Sequence, residues 1–171
     1  VLEQTESLPG VESAGVIGDL FIGGNPEQIL TIEGDGQTIS ERLRFRRDEV
    51  SGGFFKALGT PLLSGRFFSA EDRPDSPRVA IINNAMARRL WSGRDPIGKR
   101  FKVGPGNSER VWFTVVGVVG DTRHTGLDTA PRPQVYVHHR HDPYDQMTLV
   151  MRTTGAPLAR PRPIFTWPSS T

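Results

Sequence analysis

The segment from Arg78 to Asp121 constrains the fold more than any other part of the chain, because short apolar words alternate there with glycine and proline stops. Val79-Ala80-Ile81-Ile82 is a continuous apolar run of strand length, rich in β-branched residues, and reads as a buried strand. Asn83 or Asn84 can cap the helix that follows. In that helix Met86 lies one turn from Leu90 and Ala87 one turn from Trp91, while Arg88 and Arg89 fall near the negative end of the dipole. Gly93 closes it. Lys99 to Val103 and Trp112 to Val119 then read as strands.

The same pattern extends outward. Val1 to Leu8 reads as the last turns of a helix that Pro9-Gly10 ends. Val11 to Phe21 and Gln28 to Glu33 read as strands, with a turn at Gly34-Asp35-Gly36. Arg42 to Arg46 alternates, so one face carries Leu43 and Phe45 and the other Arg42, Arg44 and Arg46. Ser51 is placed to cap a short helix with Phe54 and Leu58 on one face, stopped by Gly59 and Pro61. Leu62 to Phe68 reads as a strand and Ser69 to Pro77 as a polar loop. Gln134 to His138 and Thr148 to Arg152 complete the strands. Variable loops and few short helices argue for an α+β fold of mixed strands rather than a regular βαβ wind. The words Gly15-Val16-Ile17-Gly18-Asp19 and Gly117-Val118-Val119-Gly120-Asp121 echo each other, either as a mark of two similar halves or as chance recurrence.

Composition narrows the classes. A chain of 171 residues can bury a core, and 19 Gly and 14 Pro suit a turn-rich globular protein. The formal charge of +2 is too small to make nucleic acid the default partner. Without cysteine, neither a disulfide framework nor a thiolate metal site is available. The longest apolar run, residues 111–120, is about half of what a helix needs to cross a bilayer. The chain starts at Val1 with no basic region or cleavage site of a signal, and reads as a fragment of something longer.

The segment Gly93-Arg94-Asp95-Pro96-Ile97-Gly98-Lys99-Arg100 is one residue short of a phosphate-binding loop. Its context is wrong: a helix precedes it and a strand follows, Arg100 stands where a magnesium-holding hydroxyl belongs, and Pro96 removes a backbone donor. It reads as a turn. His138, His139 and His141, with Asp142 and Asp145 nearby, offer nitrogen and oxygen ligands. Adjacent residues of a strand face opposite ways, so only His139 and His141 would share a side; a solvated strand end is the simpler reading. Asp121, Arg123, His124 and Asp128 form a polar cluster just past a buried strand, without a nucleophile motif to accompany it. The basic stripe of Arg42, Arg44, Arg46 and Arg47 is flanked by Glu41, Asp48 and Glu49 and reads as a solvated face. Phe54, Phe55, Phe67, Phe68, Trp91 and Trp112 read as core.

Five segments in register carry a resemblance: Val50-Ser51-Gly52-Gly53-Phe54-Phe55-Lys56-Ala57-Leu58-Gly59, Leu63-Ser64-Gly65-Arg66-Phe67-Phe68, Val79-Ala80-Ile81-Ile82-Asn83, Asp95-Pro96-Ile97-Gly98-Lys99 and Val115-Val116-Gly117-Val118-Val119-Gly120-Asp121. Together they resemble the periplasmic core domain of MacB-like permeases of the FtsX-like ABC transporter superfamily, and are most similar to the duplicated orphan permeases of Acidobacteria. The resemblance implies a domain outside the cytoplasmic membrane, between the first and second transmembrane helices. It implies two lobes: a porter-like lobe from residues 1–48 and 141–159, and an inserted sabre-like lobe from residues 49–140. Residues 160–171, rich in proline, depart from the family's helix and are expected to be disordered or non-native.

Implied partners are the rest of the permease and a separate ABC ATPase, together with envelope proteins. Nucleic acid is not among them, and the oligomeric state stays open, with a dimer compatible with the full-length transporter. Catalytic residues, cofactors and metals are expected to be none, and the expected role is non-catalytic coupling of membrane movement to export or partner handling. The alternative is a soluble ligand-binding module, or a metal-dependent enzyme using Asp121 and His124 or His139 and His141.

Overall fold

The computed structural model describes residues 4–5, 7–18, 26–34, 37–122, 130–141 and 146–154. The strands are β1 (Val11–Ile17), β2 (Glu27–Glu33), β3 (Thr38–Arg44), β4 (Arg46–Val50), β5 (Leu62–Gly65), β6 (Val79–Asn83), β7 (Arg100–Val103), β8 (Phe113–Val119), β9 (Gln134–His138) and β10 (Thr148–Thr153); the helices are α1 (Phe54–Leu58) and α2 (Asn84–Trp91). The strands form one mixed sheet in the order β10-β1-β4-β9-β6-β8-β7-β2-β3. One edge of β8 is shared, its first residues pairing with β7 and its last with β5. The β4–β9 and β6–β8 pairs are parallel, and the remaining pairs are antiparallel. The architecture is α+β, with mixed strands and few short helices.

The central strands are covered on both sides, which explains why their sequences run apolar without alternation. Every residue of β6 and β9 is buried. Ala80 and Ile82 of β6 with Val135 and Val137 of β9 face Met86, Leu90 and Trp91 of α2. Ile81 and Tyr136 point to the other face, against Val50, Phe54, Phe55 and Phe68. Phe55 lies at the centre of that second cluster, stacked on Phe67 at 5.4 Å and edge-on to Tyr136 at 4.9 Å. Phe101 and Phe113 stack at 5.7 Å on the α2 face.

Helix α2 starts as its sequence suggests. Asn83 Oδ1 accepts the Met86 N–H at 3.0 Å. It also accepts the Gln134 N–H at 3.0 Å, and Asn83 Nδ2 donates to the Arg132 carbonyl at 2.8 Å. One side chain thus caps the helix and fastens it to β9. At its other end the left-handed cap is Ser92, at φ 44°, one residue before the expected Gly93. Helix α1 ends at Gly59, left-handed at φ 68°, but Ser51 does not cap its start. Ser51 Oγ instead accepts the Val16 N–H at 3.0 Å, tying the loop before α1 to β1.

Several expected boundaries are corrected. The strand read over Arg42–Arg46 is two strands, because fully buried Phe45 turns the chain from β3 at the end of the sheet into β4 near its middle. The Leu62–Phe68 strand stops at Gly65, after which Phe67 and Phe68 turn into the α1 cluster. Of the expected N-terminal helix, residues 4 and 5 are helical and Gly10 takes φ +83°. Strand β1 ends at Ile17, and the rest of the span read as Val11 to Phe21 lies largely outside the described residues, as does the tail 160–171. The sheet continues without a break through positions 48 and 49, inside β4.

Both echoing words prove to have a packing reason at their first glycine. A Cβ on Gly15 would fall on the backbone of Gly53 and Phe54, and one on Gly117 on the Arg66 carbonyl oxygen. In each case a strand lies against neighbouring backbone at a distance that only glycine permits.

Candidate functional site

The phosphate-loop near-match forms the turn between α2 and β7. Gly93 and Gly98 take φ +85° and +78°, which a side chain would strain. Its amides are engaged locally: Gly98 N–H donates to the Val115 carbonyl at 2.8 Å, Lys99 N–H to Pro96 at 3.0 Å, and Ile97 N–H to Asp95 Oδ1 at 3.0 Å. The donors that a phosphate would need are therefore aimed at the protein's own acceptors.

Asp121 lies at the start of α2, although the sequence places it just past β8. Its Oδ1 accepts the Ala85 N–H at 2.8 Å and its Oδ2 lies 3.3 Å from Arg88 Nη2. The carboxylate thus faces the positive end of the helix dipole, a structural role. Arg123, His124 and Asp128 lie outside the described residues. The basic stripe is also divided. Arg42 and Arg44 are exposed on β3, whereas Arg46 is 9% exposed and its Nε lies 2.7 Å from Asp48 Oδ1.

That pair belongs to a buried polar network that the sequence did not announce. Gln134 Nε2 donates to Asp48 Oδ2, and Thr122 Oγ1 lies 3.4 Å from both Gln134 Oε1 and the Tyr136 hydroxyl. Burial pushes the Tyr136 phenol above its ordinary range. The only sequence signal was the i, i+2 spacing of Arg46 and Asp48, which puts opposite charges on one face of a strand.

The histidines are gathered more tightly than strand alternation allows. Strand β9 ends at His138, and a turn closed by the His141 N–H to the His138 carbonyl at 2.9 Å brings the rings to one place. The His138 ring lies 4.7 Å from that of His139 and 6.0 Å from that of His141. The expectation that only His139 and His141 share a side is thus replaced by a cluster centred on His138. Its Nδ1 accepts the Arg140 N–H at 3.2 Å, and its ring meets Phe68 edge-on at 5.2 Å. Burial, the neighbouring His139 and His141, and Arg140 pull the His138 imidazole down to about 4. Burial also lowers His139, opposed by the Val50 carbonyl.

The cluster is covered by the loop from Arg66 to Arg78. Asp72 in this loop is 3% exposed and receives both Arg66 Nη1 and Nη2 at 2.8 Å, and the Ser69 N–H at 2.8 Å. Burial alone would raise the Asp72 carboxyl, but the Arg66 and Ser69 hydrogen bonds with the charges of Arg66 and His138 bring it below the usual value. His141 Nε2 lies 2.5 Å from the Arg73 carbonyl and 3.4 Å from Ser76 Oγ, and Arg78 donates to the His141 carbonyl at 3.0 Å. Among the described residues no three His, Cys, Asp or Glu side chains are spaced to hold a metal ion. The arrangement fastens a loop; Asp142 and Asp145 lie outside the described residues. Among the described residues no helix is long and apolar enough to cross a membrane.

Comparison with known proteins agrees with the scaffold. The sequence profile of the MacB-like periplasmic core domain matches residues 2–161. The macrolide export ATP-binding/permease protein MacB of Marinobacter nauticus is 30% identical over 89 residues, covering 50% of this chain and 13% of its own. The chain thus spans a small part of that relative. The periplasmic region of MacB from Actinobacillus actinomycetemcomitans shares the fold with a TM-score of 0.60 at 14% identity, covering 91% of this chain and 64% of that one. The extracellular domain of the noncanonic ABC-type transporter YknZ from Gram-positive bacteria does so at 0.52 and 16%, covering 91% and 72%. Matched over nearly its whole length, the chain belongs to the MacB-like periplasmic core domain family.

Proposed function

We propose that this chain is an extracytoplasmic domain of an ABC transporter permease, inserted between two membrane helices, and that it passes their movement to export or to partners outside the membrane without chemistry of its own. The observation that carries the reading is the antiparallel pairing of β1 with β10, Val11 opposite Thr153. Just beyond it, the Thr154 N–H donates to the Gly10 carbonyl at 3.0 Å. Entry and exit of the domain therefore lie side by side, as an insertion between consecutive membrane helices requires. A cross-linked sheet on two adjacent anchors moves as a lever.

On this reading residues 1–48 with 141–159 make the porter-like lobe and residues 49–140 the sabre-like one, meeting within the sheet. The partners are the permease's own membrane helices and an ABC ATPase. Expression of the complete reading frame with a cysteine at exposed position 70 tests it; these 171 residues contain no cysteine, and any outside them are replaced by serine. A membrane-impermeant maleimide should label intact spheroplasts. Labelling only after lysis, or a reading frame without membrane helices on both sides of the segment, would overturn the reading.

A further inference from the structure

We infer that His138, His139 and His141 form an acid-released latch on the loop from Arg66 to Arg78. The turn after β9 and the loop hold each other through His141, whose Nε2 reaches the Arg73 carbonyl and Ser76 Oγ, and through Arg78, which reaches the His141 carbonyl. The ring of His138 is held in its neutral form by a hydrogen bond it accepts, and the ring of His141 has no acceptor for a second proton. His138 Nδ1 accepts the Arg140 N–H, so a proton there would set two donors against each other. His141 Nδ1 is buried with no hydrogen-bond partner, so a proton there would be a buried donor lacking an acceptor. His139 Nδ1 lies 3.4 Å from the Val50 carbonyl, the group that β4 presents to it, and tolerates protonation best.

Charge acts in the same direction. Three rings linked by 4.7 and 6.0 Å contacts, with Arg140 in the same turn, crowd His138 with groups that are or can become cations. The loop's carboxylates are Glu71 and Asp75, both exposed, and Asp72, which faces His138 but is already engaged by Arg66 and Ser69. Burial, the two neighbouring rings and Arg140 outweigh Asp72 and hold His138 neutral down to about pH 4. Protonation therefore favours a state in which the turn and the loop have separated and water reaches the rings. Separation breaks the edge-on contact between Phe68 of the loop and the His138 ring.

The test labels Ala70→Cys, on the exposed part of the loop, with a spin label or an anisotropy probe and follows its mobility from pH 8 to pH 4 by about half-unit steps. Mobility should rise with a midpoint between pH 6.5 and about 4, while circular dichroism of the sheet stays constant over that range. In the same chain carrying H138F and H141Q, which cannot take up these protons, the rise should vanish. An unchanged label down to pH 4, the same midpoint in the variant, or loss of the sheet coincident with the label would each overturn the latch. If the variant does not fold, assigned imidazole Cε1–H shifts of the chain with native histidines decide: His138 and His139 both titrating below 6.5 support it, and either of them at or above 6.5 sinks it.

Discussion

Gly117→Ala should be among the most damaging methyl additions the chain can receive. A Cβ there would lie well inside 3.0 Å of the Arg66 carbonyl oxygen, with the Ile81 side chain at 3.3 Å behind it. Neither neighbour yields easily: Ile81 is 0% exposed, and Arg66 is held by its own N–H to the Val116 carbonyl at 2.8 Å. Relief requires the Arg66 backbone to lift from β8, which breaks that hydrogen bond and disturbs the β5–β8 pairing. Overpacking of this kind costs about 1–3 kcal/mol and the lost hydrogen bond about 1 more, so a total near 2–4 kcal/mol is expected. For a domain of this size that corresponds to roughly 4–16 °C in Tm.

Urea unfolding followed by circular dichroism would measure it, with Gly93→Ala as the comparison. Gly93 has nothing within 4 Å of a Cβ but sits at φ +85°, so its substitution isolates conformational strain, about 1 kcal/mol. Equal losses at the two sites, or a loss below about 1 kcal/mol at Gly117 with unchanged m, would refute the close-approach argument.

Asn83→Ala removes the α2 cap and leaves the Gln134 N–H and Arg132 carbonyl without their partner; about 2–4 kcal/mol should be lost, read from the urea midpoint. Asp48→Ala leaves the 9% exposed Arg46 without its closest carboxylate and should cost about 3–5 kcal/mol, far more than Glu27→Ala, whose 3.8 Å contact with Arg44 is exposed. Acid should destabilise the chain in two windows. His138 and His139 titrate lower folded than unfolded, so their contribution is complete above pH 6.5 and is lost as pH falls toward about 4, by at most about 1.4 kcal/mol per pH unit for each proton taken up. Asp72 is likewise lowered, and its contribution is lost only below its ordinary 3.8, so stability measured between pH 8 and 4 should report the histidines and below pH 4 the carboxylate as well.

Much of the sheet was legible because its central strands are buried on both faces. Gln134–His138 matches β9, and Val79–Ile82 falls one residue short of β6. Strand β4 was hidden for the opposite reason: Arg46, Arg47, Asp48 and Glu49 look like part of a solvated face until Arg46 and Asp48 neutralise each other on one buried side. Strand β3 begins at Thr38, earlier than read, since its first three residues are exposed and carry no alternation. Strand order could not be read, because which edges meet depends on residues far apart in sequence. At the candidate sites, the segment from Gly93 to Arg100 was read as the turn it forms, whereas the histidines were misjudged. Strand alternation was assumed to continue past His138, where a turn gathers them instead. Asp121 was placed near a possible reaction centre by its position after β8, and only the packed α2 shows what it holds.

Strand β9 lies between β4 and β6, pairing parallel with the first and antiparallel with the second. The consequence is temporal. A chain emerging from its N-terminus presents β4 and β6 long before residues 134–138 exist, so the seam at the middle of the sheet has to stay open while both flanks are already available. Such non-local closure slows folding and leaves two unsatisfied edges exposed in the interval. Slow, seam-limited folding, and aggregation of any product truncated before Gln134, follow from where one five-residue strand was inserted.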